Sequence, residues 1–258
     1  MRPGSFLEVR KILPLLTEGN PNHPSFNVVA FSLPGYGFSD APKTKGFAIS
    51  QFAEITKRIA SLYGDIDSAP PSLYGSPALY LKNMFTKYTA AEKAGLERTH
   101  WFMNKGRGYS SEQSTQPQTL GYSIADSPVG LLAWIYEKLV NWSDDYLWDD
   151  DEVLTWISIY WFSAAGPAAS VRIYYESVNE VTSIGEPTIP HGTSFFPQEL
   201  YNYPRLWTRT KYRTFEAEHG RGGHFAAHER PDDLVADLRR MFGQGGPAYV
   251  VVKGKTGY

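Results

Sequence analysis

Cysteine is absent from the 258 residues, which excludes disulfides, thiolate nucleophiles and cysteine-ligated zinc. No apolar run approaches the roughly 20 residues that a spanning helix needs. The amino terminus carries no basic segment followed by an apolar one, so a cytoplasmic protein with no membrane segment and no secretory signal is expected. Charge of one sign is also missing: 25 Lys and Arg against 27 Asp and Glu leave a formal charge of −2, too weak a field to attract nucleic acid. The Asn141-Trp142-Ser143 glycosylation match is then accidental. His219 and His224 stand five apart in a loop with no third ligand at suitable spacing, and neither a metal nor a cofactor is expected. No Gly-x-Ser-x-Gly or Gly-x-Asp-x-Gly occurs anywhere, so the strand-to-helix elbow that exposes many catalytic nucleophiles is missing.

Aromatic residues are plentiful, at 15% of the chain. Trp134, Trp142, Trp148, Trp156 and Trp161 cluster in its middle, where they would form a packed core, an apolar pocket, or both. Phe26 to Leu33 reads as a buried strand, a β-branched and aromatic run between Pro24 and Pro34. Pro34 to Asp40 is a turn whose glycines permit positive φ. Phe52, Ile55, Ile59 and Leu62 lie at helical spacing, and residues 65 to 80, rich in proline and serine, read as a loop. From about 81 to 180 no strand is expected. Ser127-Pro128 starts a helix striped by Leu131, Leu132, Ile135 and Leu139. A further helix holds Leu154, Ile157 and Trp161, and Gly166-Pro167 breaks it before another that carries Ile173 and Tyr174. Strands near Gly192 to Phe196 and Tyr212 to Ala217 follow, then a closing helix striped by Leu234, Val235, Leu238, Met241 and Phe242. The pattern is α/β with a helical insertion, in three parts: 1–80 and 181–258 form the core, and 81–180 form the lid.

The chemistry concentrates in the last part. Arg221-Gly222-Gly223-His224-Phe225-Ala226-Ala227 presents a histidine at a strand-to-helix turn. Phe195-Phe196-Pro197-Gln198-Glu199-Leu200 ends the preceding strand in a carboxylate that could orient that imidazole. Glu216 and Glu218 are the competing acids.

These segments resemble the microsomal and fungal type of epoxide hydrolase, an α/β-hydrolase fold with a mostly parallel sheet and an inserted helical lid. Pro3-Gly4-Ser5-Phe6-Leu7-Glu8 is similar to that family's HGWPGSF segment, and Ser32 to Ser39 to the loop after its fourth strand. Gln113-Ser114-Thr115-Gln116-Pro117-Gln118-Thr119-Leu120, followed by Ser127-Pro128-Val129-Gly130-Leu131-Leu132-Ala133-Trp134-Ile135, is similar to its lid. The resemblance implies a small apolar epoxide substrate, opened by an aspartate that forms an ester. It also implies two phenols, Tyr109 and Tyr174, that hydrogen-bond the epoxide oxygen. His224 would be the base that activates the ester-cleaving water, with Glu199 as its acid. A phenol can donate to an alkoxide-like oxygen, and a near-neutral imidazole can accept a proton from water.

The departures from that family concern the nucleophile. Its GGDWG elbow has no counterpart, because Leu62-Tyr63-Gly64 runs directly into Asp65-Ile66-Asp67, as though one βαβ unit of roughly 30 residues were missing. Arg2 stands where the family has an oxyanion-hole tryptophan. Asp65 and Asp67 lack the fixed geometry of an elbow. The expectation is therefore an incomplete core and an epoxide hydrolase by descent that is inactive or impaired. A non-catalytic binder of apolar ligands or a non-functional truncated product is the alternative. Oligomeric state stays open, and residues 244–258 match nothing in the family pattern.

Overall fold

Helix starts follow from local chemistry at several points in the computed structural model, which describes residues 5–48, 50–51, 70–178 and 190–258. A short 3₁₀ turn, Phe6–Val9, is capped by the Ser5 hydroxyl, which accepts from Leu7 N–H at 3.3 Å. Helix α1 is Leu13–Thr17. Helix α2, Pro77–Phe85, begins with proline in its first turn after Ser76, so the loop expected through residue 80 ends earlier. Only the proline half of the Ser-Pro signal read at Ser127 operates at Ser76, whose side chain makes no capping bond.

Helix α3, Ala90–Trp101, opens on a capping box in which Thr89 and Glu92 each bond the other's backbone N–H. A π-helical turn, Phe102–Gly106, leads to α4, Gly108–Thr115, and then to α5, Pro117–Asp126. Helix α6, Pro128–Trp142, starts as the sequence requires, with the Ser127 hydroxyl accepting from Gly130 N–H at 3.0 Å. Helix α7, Asp150–Trp161, buries Val153, Trp156, Ile157 and Tyr160. Leu154 lies on the opposite, exposed face of this helix. A second 3₁₀ turn, Pro167–Val171, feeds α8, Arg172–Val178.

The two carboxyl-terminal strands form where they were read: β1, His191–Phe195, pairs in parallel with β2, Arg213–Glu218. Helices α9, Ala226–Glu229, and α10, Pro231–Phe242, follow. Asp237 of α10 is buried and accepts from Ser194 Oγ and His219 Nε2, each at 2.6 Å, which clamps the helix to β1 and to the residue just after β2.

Phe26–Leu33 is not a strand, and this corrects the sequence reading. Strand identity is a property of a pair, and the run has no ladder partner among the described residues. Its entry is tied elsewhere: Ser25 N–H donates to Gly257 O at 2.7 Å and Phe26 N–H to Leu16 O at 2.8 Å. The carboxyl-terminal tail that the sequence left unplaced thus packs against this segment. Val29 is 67% exposed, a position that a central strand would bury on both faces. The helix expected from Phe52 to Leu62 lies outside the described residues, as do Asp65, Asp67, Arg2 and Pro3.

The larger core therefore gathers on the helices. Phe102, Ile124, Leu131, Ile135, Leu139, Trp142, Trp156 and Tyr160 are all buried in one cluster that also takes in Leu7, Tyr36, Leu200 and Phe225. His228 of α9 lies at its margin and is buried, its ring stacked on Trp148 at 4.9 Å and edge-on to Trp156 at 5.5 Å. Burial among these rings, helped by the nearby Lys11 ammonium and opposed by Glu152, holds the His228 imidazole down at about 4. The folded chain then binds fewer protons than the unfolded chain between pH 4 and 6.5. Stability from this group is complete above about 6.5 and is lost as pH falls toward 4, by roughly 3 kcal/mol. Urea unfolding across that window should show the slope, and His228→Phe should flatten it. An unchanged slope would mean that the imidazole is not buried in its neutral form.

Candidate active site

The glycine pair before His224 explains how the histidine reaches its place. Gly222 sits at φ +114°, and a Cβ there would lie 2.5 Å from the Phe196 ring. A Cβ on Gly223 would lie 2.4 Å from the Trp142 carbonyl oxygen. Only glycine lets the chain pass this close to the end of α6. His224 N–H then donates to Trp142 O at 2.8 Å, Gly222 N–H to Asp144 Oδ2 at 2.7 Å, and Phe225 N–H to Glu229 Oε1 at 3.0 Å. Burial raises the Glu229 carboxyl above the ordinary range, against the hydrogen bonds it accepts from Asp144 and Phe225.

Glu199 arrives by extension of the sheet. Beyond β1 and β2 the pairing continues as a parallel bridge from Gln198 to Gly223, with Gln198 N–H donating to Gly222 O at 3.0 Å. The residue after each partner therefore faces the other, and Glu199 Oε1 lies 2.7 Å from His224 Nδ1. The same oxygen accepts from Leu200 N–H at 2.7 Å, which fixes the carboxylate before the imidazole meets it. With Nδ1 engaged, Nε2 is the ring nitrogen left to act on a ligand. The competing acids point to other partners: Glu216 and Glu218 bond Arg205 at 3.0 and 2.6 Å, and Glu216 also bonds Arg213 at 2.7 Å.

The two tyrosines come together from separate helices. Tyr109 on α4 and Tyr174 on α8 meet edge to face at 5.6 Å between ring centroids. Trp142 links them to the histidine, 5.3 Å from Tyr109 and 5.2 Å from the His224 ring. Glu199, His224, Trp142, Tyr109 and Tyr174 thus form one continuous chain of contacts. A cavity of about 240 Å³ lies between the 34–47 loop and the start of α8, with Tyr36, Phe47, Gln118, Arg172, Ile173 and Glu176 in its wall, and none of the five residues in that chain of contacts lines it.

Trp142 was missed as a site residue. The sequence shows it as one of five clustered tryptophans and as the middle of an accidental glycosylation match, and it ends the buried stripe of α6. The setting of His228 was also missed, since nothing local in the sequence shows its aromatic box. Among the described residues no cluster of histidines and carboxylates is arranged to hold a metal ion, and no helix is long and apolar enough to cross a membrane.

No family model matches the chain. A protein of Stigmatella aurantiaca is 36% identical over 276 residues, which takes in 94% of this chain and 62% of that protein. Epoxide hydrolase 1 of Sus scrofa is 31% identical, over 93% of this chain and 66% of its own length. The chain spans less than two thirds of the length of these relatives. The first alignment is also longer than the 258 residues available, so the relative carries residues inside the aligned region that this chain lacks. Among solved structures, an enantioselective mutant of the Aspergillus niger epoxide hydrolase superposes with a TM-score of 0.68 at 33% identity, over 92% of this chain and 68% of that one. The juvenile hormone epoxide hydrolase of Bombyx mori, at 24% identity and a TM-score of 0.75, shares the fold. The small parallel sheet under a large helical layer is an α/β-hydrolase fold with an incomplete core, and the chain belongs to the epoxide hydrolase family.

Proposed function

We propose that this chain binds small apolar epoxides and holds the oxygen-binding and water-activating parts of an epoxide hydrolase site without the part that forms the ester. The observation that carries this reading is the convergence of the Glu199–His224 pair, 2.7 Å apart, with the Tyr109–Tyr174 pair through Trp142. In this reading residues 1–80 and 181–258 are the core and 81–180 the lid, which brings both tyrosines over the histidine.

Each residue has a stated act. The phenols of Tyr109 and Tyr174 donate to the epoxide oxygen, where negative charge develops as a carbon–oxygen bond breaks. His224 takes a proton from water through Nε2, and Glu199 fixes its ring and stabilises the imidazolium that results. The rings of Trp142 and Phe225 packed against His224 keep bulk water from it and favour apolar substituents. Ester formation requires a carboxylate held on an elbow, and no elbow motif occurs in the sequence.

Incubation of the purified chain with styrene oxide tests this. Saturable binding is expected, with diol release no faster than in buffer. Diol formation that disappears in His224→Ala would overturn the missing-nucleophile part of the reading, and an absence of binding would overturn all of it.

A further inference from the structure

Tyr174 follows a stretch of backbone whose carbonyls two buried side chains bond. The 3₁₀ turn Pro167–Val171 runs into α8, and its last two residues, Ser170 and Val171, are 1% and 2% exposed. The Tyr36 hydroxyl donates to Ser170 O at 2.8 Å. The Gln113 amide, through Nε2, donates to Val171 O at 3.3 Å. The donors belong to different parts of the chain: Tyr36 to the turn after Leu33, and Gln113 to α4, one helical turn beyond Tyr109. Consecutive carbonyls just before Tyr174 are thus tied to the core loop on one side and to the helix of Tyr109 on the other.

Both donors look costly for a purely structural contact. Gln113 is completely buried, and its Oε1 has no hydrogen-bond partner. An apolar side chain of the same shape would avoid that loss, so the amide is retained at a disadvantage to stability. Tyr36 is also fully buried, and its hydroxyl points at the carbonyl rather than at solvent. Burial, with smaller contributions from Tyr174, Tyr160, Glu8 and Tyr109, raises its phenol well above the ordinary tyrosine value, so it remains a donor.

We propose that Tyr36 and Gln113 are positioning residues that lock the Ser170–Val171 backbone and thereby fix the phenol of Tyr174 against that of Tyr109. This rests on the reading of those two phenols as the donors to the epoxide oxygen. Gln113 belongs to the Gln-Ser-Thr segment of the lid, to which the catalytic roles alone give no task.

The test compares Tyr36→Phe, Gln113→Met and their combination with the unsubstituted chain. Each variant keeps the shape of the side chain and removes the donor. Three quantities are read: melting temperature, the nuclear Overhauser cross-peak between the Tyr109 and Tyr174 rings, and affinity for styrene oxide. The melting temperatures should fall by no more than about 10 °C, the cost of one unmet buried carbonyl. The cross-peak should weaken in each single variant, and affinity should fall about threefold to tenfold, the equivalent of one hydrogen bond. The double variant should lose little more than either single one, because both bonds act on the same backbone segment. A cross-peak unchanged in both single variants overturns the proposal, as does a collapse of melting temperature in both, which would make the bonds part of the fold alone. If one variant fails to fold, the other decides by its cross-peak. A cross-peak that weakens while affinity holds supports the positioning and counts instead against the phenols as epoxide-oxygen donors.

Discussion

Grafting the internal segment that the Stigmatella aurantiaca relative carries and this chain lacks, at the junction of Gly64 and Asp65, should raise diol formation from styrene oxide by at least about 10³-fold over the unmodified chain. The pair proposed for the second chemical step is already joined, with Glu199 Oε1 2.7 Å from His224 Nδ1 and the backbone of His224 held by Trp142 O. What is missing is a carboxylate on an elbow, and an elbow cannot be approximated by a loop carboxylate because attack demands a fixed distance and angle. The graft also supplies a strand, so it should lower the exposure of Val29 by giving the 26–33 segment a ladder partner. His224→Ala in the grafted protein should stop the cycle after its first half. The protein would then gain the mass of one epoxide and keep it, because no base activates the water that cleaves the ester. A folded graft that releases diol no faster than buffer would show that the His224 region is not competent, whatever its geometry.

The parts of this site that sequence alone revealed are those constrained locally. Gly222 and Gly223 are required by positive φ and by the approach to Trp142 O, and the acid and base follow strands that extend as a parallel bridge at Gln198 and Gly223. Those demands leave a short, readable pattern. Ser127-Pro128 was equally legible, because a cap is a contact between near neighbours. Tyr36, Gln113 and Trp142 were not, since each does its work through a residue far along the chain. Ser170 lies 134 positions from Tyr36, and Val171 lies 58 from Gln113. The strand at Phe26–Leu33 failed for a related reason. Its composition suits a buried sheet, but composition describes a segment and a strand needs a neighbour, and here the neighbours are α1 and the tail.

Phenylalanine in place of Tyr109 or Tyr174 should slow the grafted enzyme by about 10²-fold for either position, and the pair together by more. The substitution keeps both rings and so keeps the 5.6 Å edge-to-face contact and the contact of Tyr109 with Trp142. A loss of rate with an unchanged melting temperature therefore reports the hydroxyls and not the packing. The step that slows identifies the role. Donation to the epoxide oxygen matters while the ring opens, so the tyrosine variants should form ester slowly and cleave it at the usual rate, leaving the protein at its unmodified mass during turnover. Glu199→Gln should do the reverse, forming ester normally and cleaving it slowly, because it disturbs only the imidazole that activates water. If the tyrosine variants also accumulate ester, the phenols act on the water step beside His224, and the division of labour between the two pairs fails. If they change neither step, the Tyr109–Tyr174 contact is part of the aromatic core that Trp142 organises, and the opening oxygen must find its donors elsewhere in the site.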